Sequence, residues 1–196
     1  MGKKLTPFAA AALASLALAG CFGGGRPPAA LMTLSAAQAP AAAEPRTVTE
    51  GEAITVATPD APRAITASRV PVYVDATTIQ YLRGAQWVES PTDLFRDLLS
   101  ETIAARTHRA VVDPALYTQA RSAVLNGRLL RFGLDPDAHE AVVEYEGALT
   151  RPDAGVVTNR FAARVPVAGN DATTVGAALN EAANQVAVAV AAWIGG

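Results

Sequence analysis

The chain has 196 residues, with 16 lysines and arginines against 18 aspartates and glutamates, a formal net charge of −2, one cysteine and two histidines. Near balance of charge leaves no basic surplus or cluster of the kind that neutralises nucleic-acid phosphates. A single cysteine excludes a disulfide within the chain, and two histidines leave little material for a metal or catalytic centre.

The chain opens Met1-Gly2-Lys3-Lys4 and continues as an apolar run from Leu5 to Ala19. Two lysines make a positive n-region. The run has the length of a signal h-region and falls short of the roughly 20 apolar residues that cross a hydrocarbon core of about 30 Å. Leu18-Ala19-Gly20-Cys21 then supplies small residues at a cleavage site. This stretch resembles the bacterial lipobox, in which cleavage falls before the cysteine, the thiol takes a diacylglycerol and the new amino terminus is acylated, with palmitate the expected chain. That chemistry accounts for a lone cysteine, because lipid consumes its sulfur. An ordinary signal peptide with a stray or buried thiol is the alternative. Several acyl chains hold firmly where one binds reversibly, since each buried methylene contributes about 0.8 kcal/mol. Phe22 stands where enterobacterial lipoproteins kept in the inner membrane often carry aspartate, which favours the outer membrane. Residues 1–20 are therefore expected to be a lipoprotein signal peptide. Their loss removes two lysines and no acid, leaving 176 residues with 14 basic and 18 acidic side chains. That length fits one domain plus a tail.

Residues 21–50 are expected to be the lipidated cysteine and a flexible tether. "FGGGRPPAALMTLSAAQAPAAAEPRTVTE" is rich in Gly, Pro and Ala and keeps no sustained period. A short amphipathic piece around Leu31 to Leu34 is the alternative there. The domain proper is expected over residues 51–196. "EAITVATP" and "SRVPVYVDA" have strand character, the second with Val70, Val72 and Val74 on one face, and "PDAPRA" between them is turn-like. "TIQYLRGAQWVES" follows as an apparent turn region. "SPTDLFRDLLSETIAARTH" predicts a helix with Ser90 as N-cap, Pro91 at the first helical position, Asp93 where a capping-box acid sits, and an apolar stripe through Leu94, Phe95, Leu98, Leu99 and Ile103. "RAVVD" predicts a short strand ended by Pro114.

"AVLNGRLLRFGLD", "HEAVVEYEGALTR" and "VVTNRFAARVPV" alternate apolar and polar residues over their length, the pattern of half-buried antiparallel strands. The alternation changes phase near Leu129-Leu130, which predicts a bulge. "DPDA" and "RPDAG" are hairpin-like connections. Glu144 and Glu146 are expected to face Arg160 and Arg164 across the wet side, for a few tenths of a kcal/mol per pair. "DATTVGAALNEAANQVAVAVAAWIGG" predicts a closing helix capped by Asp171 or Thr173, with Val175, Leu179, Ala182, Val186 and Val190 on one face. Its alanines allow close packing on the sheet or on a neighbouring subunit. The order predicts an α+β fold: a mostly antiparallel sheet with two main helices packed on one face.

No catalytic constellation emerges. His108 lies near a helix end and His139 at a strand start, neither with an acid or cysteine at ligand spacing. No P-loop, nucleophile elbow or dinucleotide fingerprint occurs. Asp135 and Asp137 flank Pro136 in a turn, where aspartates serve the backbone. No enzyme activity, cofactor or metal is expected. The stretch holding Tyr81 and Trp87, in a chain poor in aromatics, is the candidate partner-binding surface. The two rings covering the core at the helix start is the equal alternative.

"RVPVYVDATTIQYLRGAQWVESPTDLFRDLL", the later strands and "LNEAANQVAVAVAAW" together resemble the ABC-type transport auxiliary lipoprotein family, which includes the paraquat-inducible C lipoprotein. The likeness covers roughly residues 52–194 and the lipobox, with Trp87, Ser90-Pro91, Leu94, Leu98 and Leu99 its most specific part. It implies a non-catalytic, lipid-anchored partner of mammalian-cell-entry-type lipid transporters. Such a protein would dock the periplasmic component at the membrane beside an ABC permease, its ATPase and a mammalian-cell-entry-domain protein. It also implies a homo-oligomeric ring and carries over Cys21 alone as a functional residue. Two competing expectations are a free-standing envelope lipoprotein that scaffolds or regulates another complex, and a carrier with a lipid pocket between sheet and helices.

Overall fold

Alternating side chains need a layer on one side to cover them, and the closing helices supply it. The computed structural model describes residues 30–38, 52–107, 109–112, 122–152 and 154–195. Along these residues run the strands β1 (Ala53–Val56), β2 (Arg69–Tyr73), β3 (Ile79–Gln86), β4 (Ala110–Val112), β5 (Ala123–Asp135), β6 (Glu140–Arg151) and β7 (Gly155–Pro166). The helices are α1 (Arg63–Thr66), α2 (Pro91–Thr107) and α3 (Ala172–Gly195).

β5 is the hub. On one side it joins β6 and then β7 in an antiparallel meander, with Leu125 opposite Leu149 and Tyr145 opposite both Leu129 and Phe161. Its register shifts between Leu129 and Arg131, the bulge that the phase change announces. On its other side β5 is shared. β1 pairs in parallel with its start, Asp60 makes an isolated parallel bridge to Arg128, and β2 pairs in parallel at Val72 and Leu134. Residues 53–73 thus lie along β5 as one interrupted strand, and α1 takes up the slack. β4 extends the sheet beyond β1 in parallel, and β3 extends it beyond β2 antiparallel. The α+β class and the one-sided helices are as expected. The sheet is mixed, however: long antiparallel ladders dominate, and three short parallel junctions add to them.

α2 and α3 share one core with the inner face of the sheet. Leu94, Phe95, Leu98, Leu99 and Ile103 of α2 are buried, as are Val175, Leu179, Ala182, Val186 and Val190 of α3. Ala178, Ala183, Ala187 and Ala191 add little bulk to α3, which brings the helix close to its neighbours. An aromatic chain crosses this core: Trp87 to Phe132 (5.6 Å between ring centroids), Phe132 to Phe95 (6.4 Å), Phe95 to Tyr145 (5.3 Å), Tyr145 to Phe161 (6.5 Å) and Phe161 to Trp193 (5.5 Å). Four of these pairs are tilted or edge-on and Tyr145–Phe161 is stacked at 22°; both arrangements at such spacings add to simple area burial. Asp171, rather than Thr173, caps α3; its carboxylate accepts from the amides of Thr173 and Thr174 and from the Thr174 hydroxyl.

Two regions differ from expectation. The supposed turn over "TIQYLRGAQWVES" contains β3, an edge strand whose mixed polarity hides its period. Its register slips between Arg69 and Pro71, and Gly84 in the slipped stretch has φ +70°. Part of the supposed tether is also docked. Residues 30–38 form an extended strap with Met32, Leu34 and Ala36 packed against the core, while Leu31, Thr33, Ser35 and Ala37 are exposed. The amphipathic alternative holds for this piece. Cys21, His108 and the rest of the segment before the domain lie outside the described residues.

Candidate functional site

The two candidate aromatics part company. Trp87 is a core residue, 1% exposed, with its ring against Phe132. Its backbone sits between two neighbours: the amide donates to Ser68 O at 2.9 Å, and the residue bridges in parallel to Met32 of the strap. The indole is thus a core ring of this chain, as the alternative reading of Trp87 expects. Tyr81 is half-buried on the outer face of β3, where the Arg69 guanidinium lies 3.7 Å above its ring. That contact covers one face of the ring and leaves an amphipathic surface.

The strap is held by a feature not anticipated from the sequence. Asn180 and Asn184 are four residues apart on α3 and point to one side. Asn180 Oδ1 accepts from the Ser35 amide at 2.9 Å, and Asn184 Oδ1 accepts from the Ala37 amide at 2.7 Å. Asn184 Nδ2 donates to Ser35 O at 2.9 Å and to Asn180 O at 2.8 Å. Two carboxamides thus reproduce for the strap the backbone pairing that a neighbouring strand would provide. At its far end Gln38 accepts from Arg106 on α2 at 2.9 Å. Uncharged amides recurring on an Ala/Val helix were the available signal. Asn184→Ala is expected to remove the bonds to the Ser35 carbonyl and the Ala37 amide, at about 0.5–1.5 kcal/mol each. Hydrogen exchange of residues 30–38 checks it: fast exchange in the variant is expected, and wild-type protection would show the clamp to be dispensable.

The outer face of β5, β6 and β7 carries the main cluster of charges. Glu144 receives Arg160 at 2.8 Å, Arg164 at 3.6 Å and Arg131 at 4.0 Å. Asp135 pairs with Arg131 at 3.3 Å and Arg164 at 3.8 Å, and Glu140 pairs with Arg164 at 3.5 Å. Glu144 faces both Arg160 and Arg164, as expected; Arg160, although opposite Glu146 in the ladder, turns to Glu144. Burial pushes the Asp135 carboxyl up, but the Ala138 amide and the two guanidiniums outweigh that and hold it below its ordinary value. Asp135 also accepts from the Ala138 amide, the turn role expected of it. Tyr73 lies beneath Arg131, and its hydroxyl accepts from the Phe132 amide at 3.0 Å. Burial pushes the phenols of Tyr73 and Tyr145 up, which keeps both protonated. Each charge in the cluster is met by an opposite one, which is the chemistry of a braced sheet face.

His139 sits in the β5–β6 turn with φ 55°, a backbone role. Among the described residues no group of three or more His, Cys, Asp or Glu side chains could hold a metal ion. No helix among them is long and apolar enough to cross a membrane.

Known folds of this kind exist. A Xanthomonas campestris protein of the DUF330 family overlaps with a TM-score of 0.64 at 23% identity, covering 84% of this chain and 92% of its own. An uncharacterized protein overlaps with a TM-score of 0.63 at 13% identity, covering 76% of this chain and 96% of its own. PelC of Paraburkholderia phytofirmans, solved as a dodecamer, overlaps with a TM-score of only 0.37 at 13% identity, covering 74% of this chain and 93% of its own. No curated relative matches the sequence. The family described as "ABC-type transport auxiliary lipoprotein component" matches residues 33–191, from the strap through most of α3. With most of the strap and of α3, and all of the mixed sheet and α2, inside that span, the chain belongs to the ABC-type transport auxiliary lipoprotein family.

Proposed function

We propose that the protein is the lipid-anchored, non-catalytic auxiliary component of a mammalian-cell-entry-type lipid transporter. It is held through acylated Cys21 in the outer membrane and docks the periplasmic component there. The family match over residues 33–191, beginning twelve residues after Cys21, carries this reading. The lipobox supplies the anchor, Phe22 favours the outer membrane, and the paired charges and protonated tyrosines offer no reactive group. The partners are an ABC permease, its ATPase and a mammalian-cell-entry-domain protein, met by a ring of copies of this chain.

Affinity capture of the tagged native protein from detergent-solubilised envelopes, read by mass spectrometry, tests the role. Recovery of the permease, the ATPase and a mammalian-cell-entry-domain protein is expected. Recovery of cell-wall enzymes alone would replace this reading with a free-standing envelope lipoprotein. Cys21→Ala is expected to leave the precursor uncleaved or the protein released in the soluble fraction. A cleaved variant that still sediments with membranes after carbonate washing would remove the lipid anchor from the proposal.

A further inference from the structure

Five large apolar side chains are exposed among the described residues: Leu31 (51%), Ile79 (45%), Val88 (50%), Val156 (61%) and Val157 (45%). Three of them, Leu31, Ile79 and Val88, point to one side along the edge of the sheet formed by β2, β3 and the strap. Paired residues in a ladder point to the same side, and the side alternates along each strand. Met32 and Trp87 form an inward pair, so Leu31 and Val88 point outward. Ile79 pairs with Tyr73 and Tyr81 with Pro71, two residues along on the same side. Arg69, opposite Gln86, lays its guanidinium over Tyr81 on this outer side. Leu31, Val88, Ile79, Tyr81 and Arg69 therefore lie on one outer side of this edge, with Gln86 opposite Arg69 and the exposed Arg83 of the slipped stretch among them.

We propose that this surface lies on the lipid bilayer that holds the anchor. The proposal rests on acylation of Cys21. Leu31 follows Cys21 by ten residues, which fully extended reach at most about 35 Å. A domain of this length is about 40 Å across. Had the whole of residues 21–50 been free, about 100 Å of chain would separate anchor from domain. The docked strap removes most of that reach, keeps Leu31 within about 35 Å of the anchor, and makes the surface around Leu31 the point where the tether leaves the domain. The composition fits the place: a tyrosine ring suits the headgroup level, aliphatic groups suit the acyl boundary, and an arginine suits lipid phosphates. Glu89 is exposed beside Val88 at the rim.

Nitroxide labels test it on the acylated, full-length mature protein in vesicles of phosphatidylethanolamine and phosphatidylglycerol. Lipid occupies the sulfur of Cys21, so Val88→Cys, Ile79→Cys and, as the reference on α3, Ala192→Cys each offer a single thiol. Labels at 88 and 79 are expected to collide severalfold more with membrane-partitioned oxygen, and less with a water-soluble nickel chelate, than the label at 192. If the labels at 88 and 79 are as nickel-accessible as the one at 192 while mass spectrometry shows Cys21 acylated, the surface proposal falls and the anchor stands. If Cys21 proves unmodified, the anchor falls and takes the surface with it. Shielding from both reagents in native envelopes but not in vesicles would assign this face to a protein and overturn the proposal.

Discussion

Trp87→Ala is expected to lower the melting temperature by roughly 10 °C, from a loss of about 3–5 kcal/mol on emptying an aromatic core position at a few degrees per kcal/mol in a domain of this size. The ring is 1% exposed and begins the aromatic chain that continues through Phe132, Phe95 and Tyr145. Around it meet the strap at Met32, the end of β3 and the start of α2, so the vacated space cannot be closed by one side chain swinging in. The indole Nε1 is buried without a hydrogen-bond partner, and an unpaired buried donor costs stability by itself. Trp87→Phe removes that donor along with part of the volume, so it is expected to melt between the wild type and Trp87→Ala. Below the melting point of Trp87→Ala, capture of the transport partners is expected to match the wild type. A variant that melts normally but captures nothing would return the indole to an interface.

How far the sequence announced this arrangement depends on whether a residue's partner lies in the same periodic pattern. β5, β6 and β7 alternate because a helix layer covers one face and water the other, and their ends and bulge agree with the pattern to within a residue or so. α2 and α3 are equally legible from their stripes, and α3 from its Asp171 cap; Ser90 stands at the start of α2, but its hydroxyl meets Thr66 O and Thr92 Oγ1 and no helix amide. β3 was hidden: it is an edge strand with Gly84 in a register slip, so neither burial nor polarity repeats along it. The parallel junctions of β1 and β2 with β5 were hidden for a related reason. Each involves only one to three paired residues, and pairing partner and direction leave no mark on so short a run. The strap looked like a tether because Ala and Pro dominate residues 21–50. Its three inward residues, Met32, Leu34 and Ala36, alternate over too short a stretch to stand out, and its hydrogen-bond partners lie some 145 residues away on α3. Trp87 illustrates the limit for binding sites. An aromatic beside a Ser-Pro helix start fits an interface and a core lid equally, and only the depth of the position decides.

Gly133→Ala is the second change expected to be severe. Gly133 lies on β5 where β2 joins it, next to the pair Val72 and Leu134. A Cβ there would overlap the Pro71 carbonyl oxygen and press on the Tyr73 ring at 3.1 Å. The nearest obstacle is backbone, so it cannot turn aside as a flexible side chain would. The strands must separate, which costs about 3 kcal/mol from overpacking and from backbone groups left unpaired. The bond from the Phe132 amide to the Tyr73 hydroxyl and the stacking of Arg131 on that ring are lost with them. Gly84→Ala is the internal control. Nothing lies within 4 Å of a Cβ at Gly84, where φ is +70°, so its cost is only the left-handed backbone, about 1–2 kcal/mol. The two variants separate crowding from backbone strain in a thermal melt, with Gly133→Ala expected to fall several degrees further. Because β2 carries β3, the same change should also loosen the outer corner of Ile79 and Tyr81, seen as faster hydrogen exchange across residues 69–86. Equal melting of the two variants would mean that β2 and β5 have room to spare at this junction.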